Sequence, residues 1–172
     1  KNHMVKIQQE VDYLDNLIDD ILLIGQSNDE GFTAKLQPIN ILKLLKEVVE
    51  RVRRVDKNQH PIDVKLAKNA KYVETDSKLV THIIGNLLTN ACKYSAAGSP
   101  VYLSVNYKDG LHIVVKDKGI GIPPKDLEML FDSFYRGSNV GNVRGTGIGL
   151  AIVHEALTAL QGKIDVKSAV NQ

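Results

Sequence analysis

The chain holds one cysteine, Cys92, so no internal disulfide framework can staple it, and a reducing cytoplasm suits it. Long hydrophobic runs are missing too. The longest apolar stretches fall well short of the roughly 20 residues that a membrane span needs, and the N-terminus, KNHMVKIQQE, has no signal-peptide core. The sequence therefore predicts a soluble, cytoplasmic fragment with no direct membrane contact, and leaves open a membrane anchor in its parent protein. An excess of one charge is also lacking. With 22 basic and 20 acidic side chains and a net charge of +2, there is no electrostatic footing for nucleic acid. Internal repeats and low-complexity segments are absent. What remains is 172 residues, 43% hydrophobic and 24% charged, enough for one cored domain and an extra element.

Met4, Ile7, Val11, Leu14, Ile18 and Ile21 alternate at spacings of three and four, the seam of a heptad repeat. They fit either a helix packed on its own domain or one that pairs with a second copy. Gly25 to Gly31 interrupts the pattern with glycines and small polar residues, a linker signature. These features divide the chain into a helix over 1–26, a linker over 27–37 and a domain over 38–172. Within that domain an amphipathic helix is predicted over Ile39–Val55 and others over Ser77–Tyr94 and Ile148–Leu160, the last stopped by Gly162. Strands are predicted at Ile62–Leu66, Lys71–Val73, Val101–Asn106, His112–Lys116 and Ile164–Lys167, the third and fourth joined as a hairpin through Asp109-Gly110. The order suits an α/β two-layer sandwich: a mixed, mostly antiparallel sheet with about three helices on one face, preceded by one long N-terminal helix.

Three segments carry the chemistry. The first, Asn86 to Tyr94, ends the predicted helix Ser77–Tyr94, in which the apolar residues Leu79, Val80, Ile83, Ile84, Leu87, Leu88 and Ala91 take one face and Asn86, Asn90 and Lys93 share a stripe at its edge. An edge asparagine can be a structural hydrogen bonder; it can also offer the hard oxygen that Mg²⁺ wants beside phosphate oxygens. Asn90 is the candidate metal ligand. Lys93 can neutralise a phosphate, and Tyr94 can stack or donate nearby. In the second, Asp117 to Gly121, a carboxylate at a strand end can accept the exocyclic amino hydrogens of adenine, or the segment can be a plain turn. In the third, Gly145 to Leu150, a glycine loop opens a helix whose amides face an anion. Between the second and third, the stretch from Gly137 to Arg144 is poor in apolar residues and suits a mobile lid. Arg136 and Arg144 are its phosphate candidates, and Phe131 and Phe134 are expected to anchor the lid base in the core.

Taken together, Asn86–Ser95, Asp117–Gly121, Phe131–Arg136 and Gly145–Leu150 resemble, in order and spacing, the N, G1, F and G2 boxes of the catalytic ATP-binding domain of bacterial sensor histidine kinases. The resemblance covers roughly residues 38 to 168. It implies nucleotide contacts from Asn86, Asn90, Lys93, Tyr94, Asp117, Gly119, Gly121, Ile122, Phe134, Arg136, Arg144, Gly145, Thr146, Gly147, Ile148, Gly149 and Leu150. Lys93, Asn86 and Arg136 would act at the transferring phosphate, with Mg²⁺ on Asn90. It also implies that residues 1–26 resemble the end of a dimerisation and histidine-phosphotransfer hairpin. The expected reaction passes the γ-phosphate of Mg-ATP to a histidine, then to an aspartate of a response regulator, in a homodimeric parent. None of His3, His60, His82, His112 and His154 has the family's phosphoacceptor context, so the chain is expected to bind ATP or ADP without phosphorylating itself. The family usually continues past Ser168 with a glycine turn and a strand, so a last strand is expected beyond this sequence. Two alternatives share the nucleotide fold: an ATPase of the gyrase, heat-shock-90 and mismatch-repair type, which carries a glutamate where Asn86 stands, and a regulatory, non-catalytic ATP-binding domain.

Overall fold

The computed structural model describes residues 33–141, 143 and 145–170. The expected N-terminal helix, most of the linker and Arg144 lie outside the described residues. The elements run β1 (Gln37–Asn40), α1 (Ile41–Val55), β2 (Ile62–Leu66), β3 (Tyr72–Thr75), α2 (Ser77–Tyr94), β4 (Val101–Tyr107), β5 (Leu111–Lys116) and α3 (Gly149–Ala159). Single 3-10 turns stand at Lys68–Ala70 and Pro124–Asp126.

Local chemistry explains most boundaries. Asn40 caps α1 by accepting from the Lys43 amide at 3.1 Å, and Asp76 caps α2 by accepting from Lys78 and Leu79, each satisfying an orphan donor. Asp76 also accepts from the Lys35 amide at 2.9 Å, which ties the approach to β1 onto the start of α2. At the end of α3 the left-handed residue is Gln161, with φ 53°. The expected stop, Gly162, is the next position along and donates to the Leu157 carbonyl at 2.7 Å. That is the six-to-one bond of a Schellman ending, so the glycine ends the helix as the outer donor and not as the left-handed residue.

The single expected sheet is two hydrogen-bonded pieces. β1 pairs antiparallel with β3, while β2, β4 and β5 form a three-stranded sheet in that order, parallel for β2 with β4 and antiparallel for the β4–β5 hairpin. Gln37 and Pro38, expected at the linker boundary, belong to β1. The predicted strand at Ile164–Lys167 forms no ladder among the described residues. Its alternating burial is present, with Ile164 and Val166 half-buried and their neighbours exposed, but alternation needs a partner strand to become a ladder.

One core lies between the helices and the three-stranded sheet. Ile41, Leu44, Leu45, Val48, Val49 and Val52 of α1 meet Val80, Ile84 and Leu88 of α2 and the inward residues Val101, Leu103 and Val105 of β4. A second, smaller cluster joins Leu79 and Ile83 of α2 to Val153 and Ala156 of α3. α3 therefore packs chiefly on α2, one helix away from the sheet.

Candidate functional site

The helix α2 is the wall of the site, and both glycine segments come to it. Gly119 lies against its C-terminal end: Ser95 bridges to Gly119, the Ile120 amide donates to the Tyr94 carbonyl at 3.1 Å, and a Cβ on Gly119 would stand 2.7 Å from that same oxygen. Only hydrogen fits there. On the other side, a Cβ on Gly149 would stand 2.7 Å from Asn86 Oδ1, and one on Gly145 would run into the Lys93 ammonium and reach within 4.0 Å of the Tyr94 hydroxyl. The three segments singled out in the sequence thus converge on one stretch of α2, from Asn86 to Tyr94.

Each candidate side chain has a defined setting. Asn86 donates through Nδ2 to the His82 carbonyl at 3.1 Å, so its amide is oriented with Oδ1 toward Gly149. Asn90 is half-buried and makes no side-chain hydrogen bond among the described residues. The Lys93 ammonium sits 5.0 Å from the Tyr94 ring centroid, over its face. Asp117 is exposed, and its Oδ1 accepts from the Gly119 amide at 2.8 Å. α3 begins at Gly149 with no side-chain cap, beside Asn86, and the Ile148 amide just before it donates to Thr146 Oγ1 at 3.3 Å; an uncapped helix start of this kind can take an anion. Cys92 points the opposite way, into the core; burial first, then the carboxylates of Asp56 and Asp117, push its thiol up to about 11.

The phenylalanines depart from expectation. Phe134 is 70% exposed and so does not anchor the lid base in the core. Phe131 is half-buried and packs its ring against His154, with centroids 5.8 Å apart. Phe134 instead holds its backbone at φ +67°, a conformation costly for a bulky side chain. Its amide donates to the Gly147 carbonyl at 3.1 Å, and Gly147, at φ +75°, presses so closely that a Cβ would lie 2.6 Å from the Phe134 carbonyl carbon. Backbone interlock, not apolar burial, ties this segment to the third motif. Arg136, exposed, donates to the Val143 carbonyl at 2.5 Å across the lid.

Several positioning residues gave no sequence signal. Asp126 is 2% exposed and accepts from the Tyr135 hydroxyl (2.9 Å), the Ser138 amide (2.7 Å) and the Ser138 hydroxyl (2.9 Å). The Ser138 amide is the main reason its carboxyl is held below the usual aspartate value, while burial and then Asp126 itself raise the Tyr135 phenol. Asn139 donates to the Gly121 carbonyl and Ser168 accepts from the Ile122 amide, both at 2.8 Å. Loop polar residues read as solvated surface until their partners, 9 to 46 residues away, are known.

Comparisons with known proteins agree with this geometry. Sensor histidine kinase WalK of Bacillus subtilis (strain 168) is 34% identical over 163 residues, covering 91% of this chain and 26% of WalK. A solved mycobacterial sensor histidine kinase, MprB, is 28% identical with a TM-score of 0.62, over 72% of this chain and 79% of that one. Full-length ShkA, solved in complex with AMPPNP, is 24% identical and shares the fold with a TM-score of 0.80, over 99% of this chain and 36% of its own. The chain spans between a quarter and a third of the length of the first curated relatives it matches, 26% and 33%. Among the described residues no helix is long and apolar enough to cross a membrane. Residues 75–172 match the family described as histidine kinase-, DNA gyrase B- and HSP90-like ATPase, and with all three motifs gathered on α2 this chain belongs to that family as its ATP-binding domain.

Proposed function

We propose that the chain serves a sensor histidine kinase, binding Mg-ATP and presenting its γ-phosphate to a histidine on a separate helical hairpin, from which an aspartate of a response regulator takes it. The observation that carries this reading is Asn86. Its amide donates to the His82 carbonyl and turns Oδ1 toward Gly149, and an amide oxygen there cannot take a proton from water as a glutamate base does. Hydrolysis therefore lacks its base, and transfer to an external nucleophile is favoured.

Within this reading Asp117 keeps Oδ2 for the adenine amino group while Oδ1 holds the Gly119 amide. The amides at the start of α3, with Thr146, Gly147, Ile148 and Leu150, receive the phosphates, and Lys93 and Arg136 counter their charge. Asn90 would supply the protein oxygen for Mg²⁺, which would offset the negative charge of the phosphates. Residues 1–26 are assigned to the end of the dimerisation hairpin, 27–37 to a linker and 38–172 to the catalytic domain. The parent is a homodimer, cytoplasmic in this part.

The test is incubation with γ-labelled ATP, with and without a separate hairpin that carries the phosphoacceptor histidine. Label is expected in the hairpin only when both are present. Steady release of phosphate without the hairpin would instead support an ATPase, and binding with neither outcome a regulatory domain.

A further inference from the structure

On the core side of α2, Asp56, His60 and Cys92 bring a carboxylate oxygen, an imidazole nitrogen and a thiol sulfur within 4.8 Å of one another. Three elements supply them. Asp56 is the C-cap of α1, His60 stands just before β2, and Cys92 lies in the last turn of α2. Asp56 and His60 side chains are 10% and 5% exposed, and Cys92 is buried.

The atoms not facing the cluster are already satisfied. His60 Nε2 lies 3.2 Å from the Ala96 carbonyl, which can only accept, so Nε2 carries hydrogen and Nδ1 is the atom turned inward. Asp56 Oδ2 accepts from the His60 amide at 2.8 Å, which leaves Oδ1 turned inward as well. Nδ1 and Oδ1 approach to 2.7 Å. The two atoms form a hydrogen-bonded pair, and both are atoms a divalent ion could take as ligands. An imidazole whose other nitrogen is held by a backbone carbonyl is the usual preparation of a metal-ligating histidine.

We infer that Asp56, His60 and Cys92 form a site for one Zn²⁺ or similar borderline-soft divalent ion, separate from the nucleotide-bound metal. Thiolate, imidazole and carboxylate are the zinc donor set, and three protein ligands leave a fourth position for water. Tetrahedral zinc separates such donors by roughly 3.4–3.6 Å. The ion therefore needs the 2.7 Å contact to widen and Cys92 Sγ to close in, a side-chain adjustment. The site does not overlap the magnesium position. Cys92 and Asn90 are two residues apart on α2, about 200° around the helix, and a thiolate is a poor ligand for Mg²⁺. Binding displaces the proton between Nδ1 and Oδ1 and the thiol proton of Cys92, both released to solvent, and clamps the helix end that carries Lys93.

Because Cys92 is the single cysteine of the chain, cobalt reads the site without ambiguity. Co²⁺ titrated into the metal-depleted chain should give a thiolate-to-cobalt charge-transfer band in the near ultraviolet that saturates at one ion per chain and is removed by Zn²⁺. Cys92→Ala, which keeps the His60–Asp56 pair, should abolish the band. His60→Gln, checked for fold by circular dichroism, should weaken cobalt affinity at least as much as the roughly 10–100-fold that loss of an outer-shell partner costs. Absence of the band under excess cobalt, a band saturating at half an ion per chain, or one indifferent to His60→Gln would each overturn the site.

Discussion

The sheet-side core and the loop tier from Gly119 to Ile148 are held by different forces. The core is area: six residues of α1 and five of α2 close over β4, and Ile41, Ile84, Leu88 and Val101 are wholly buried. The loop tier has few such residues. It rests on directional contacts: Asp126 with Tyr135 and Ser138, Asn139 with the Gly121 carbonyl, Phe134 with Gly147. Apolar area is non-directional and tolerates no rearrangement without a cavity, whereas a handful of polar bonds can be exchanged for bonds to a ligand. The rigid part thus carries Asn86, Asn90 and Lys93, and the loop tier packs beside them through contacts that can be exchanged.

The largest effect is expected in the core. Leu88→Ala should lower unfolding free energy by about 2–5 kcal/mol in urea denaturation, and a loss below about 1 kcal/mol would erase the contrast between the two regions. On the rigid wall but outside the core, Asn90→Ala should abolish Mg-dependent nucleotide binding, at least a tenfold loss or about 1.4 kcal/mol, with the melting temperature unmoved. Tight Mg-ADP binding by that variant, measured calorimetrically, would remove Asn90 as the metal ligand. The smallest effect sits in the loop tier. The Asp126 carboxyl is held below its ordinary value of 3.8 in the folded chain. Its stabilisation is therefore complete above that value and lost as pH falls through the lower folded-state one. Exchange protection of the Ser138 amide should fall in that acid window while core amides stay protected, and Asp126→Asn should flatten the profile. Simultaneous loss of core and loop protection would show one cooperative unit.

Which features could be read from the sequence follows from the same contrast. All six buried residues of α1 share one helical stripe, and its predicted end at Val55 holds; its start moves two residues, because Asn40 caps it after Pro38 has joined β1. The ATP-binding family was readable because its motifs are short and ordered along the chain. Phe134 misled because an aromatic between loop segments reads as core, while its true constraint is the backbone of Gly147, 13 residues on. Ile164–Lys167 forms no ladder among the described residues, since alternation records which side faces inward and not which strand lies alongside.

By itself, then, the sequence determined the helices, the hairpin, the faces they bury and the ATP-binding motifs, since periodicity, caps and glycine loops act over a few residues. Tertiary structure alone decided that Gly149 touches Asn86, that Gly145 meets Lys93, that Asp126 is buried beneath Tyr135 and Ser138, and that Asp56, His60 and Cys92 share a corner. Those contacts depend on how helices and loops pack across the fold, and no local propensity encodes which distant atom arrives next to which.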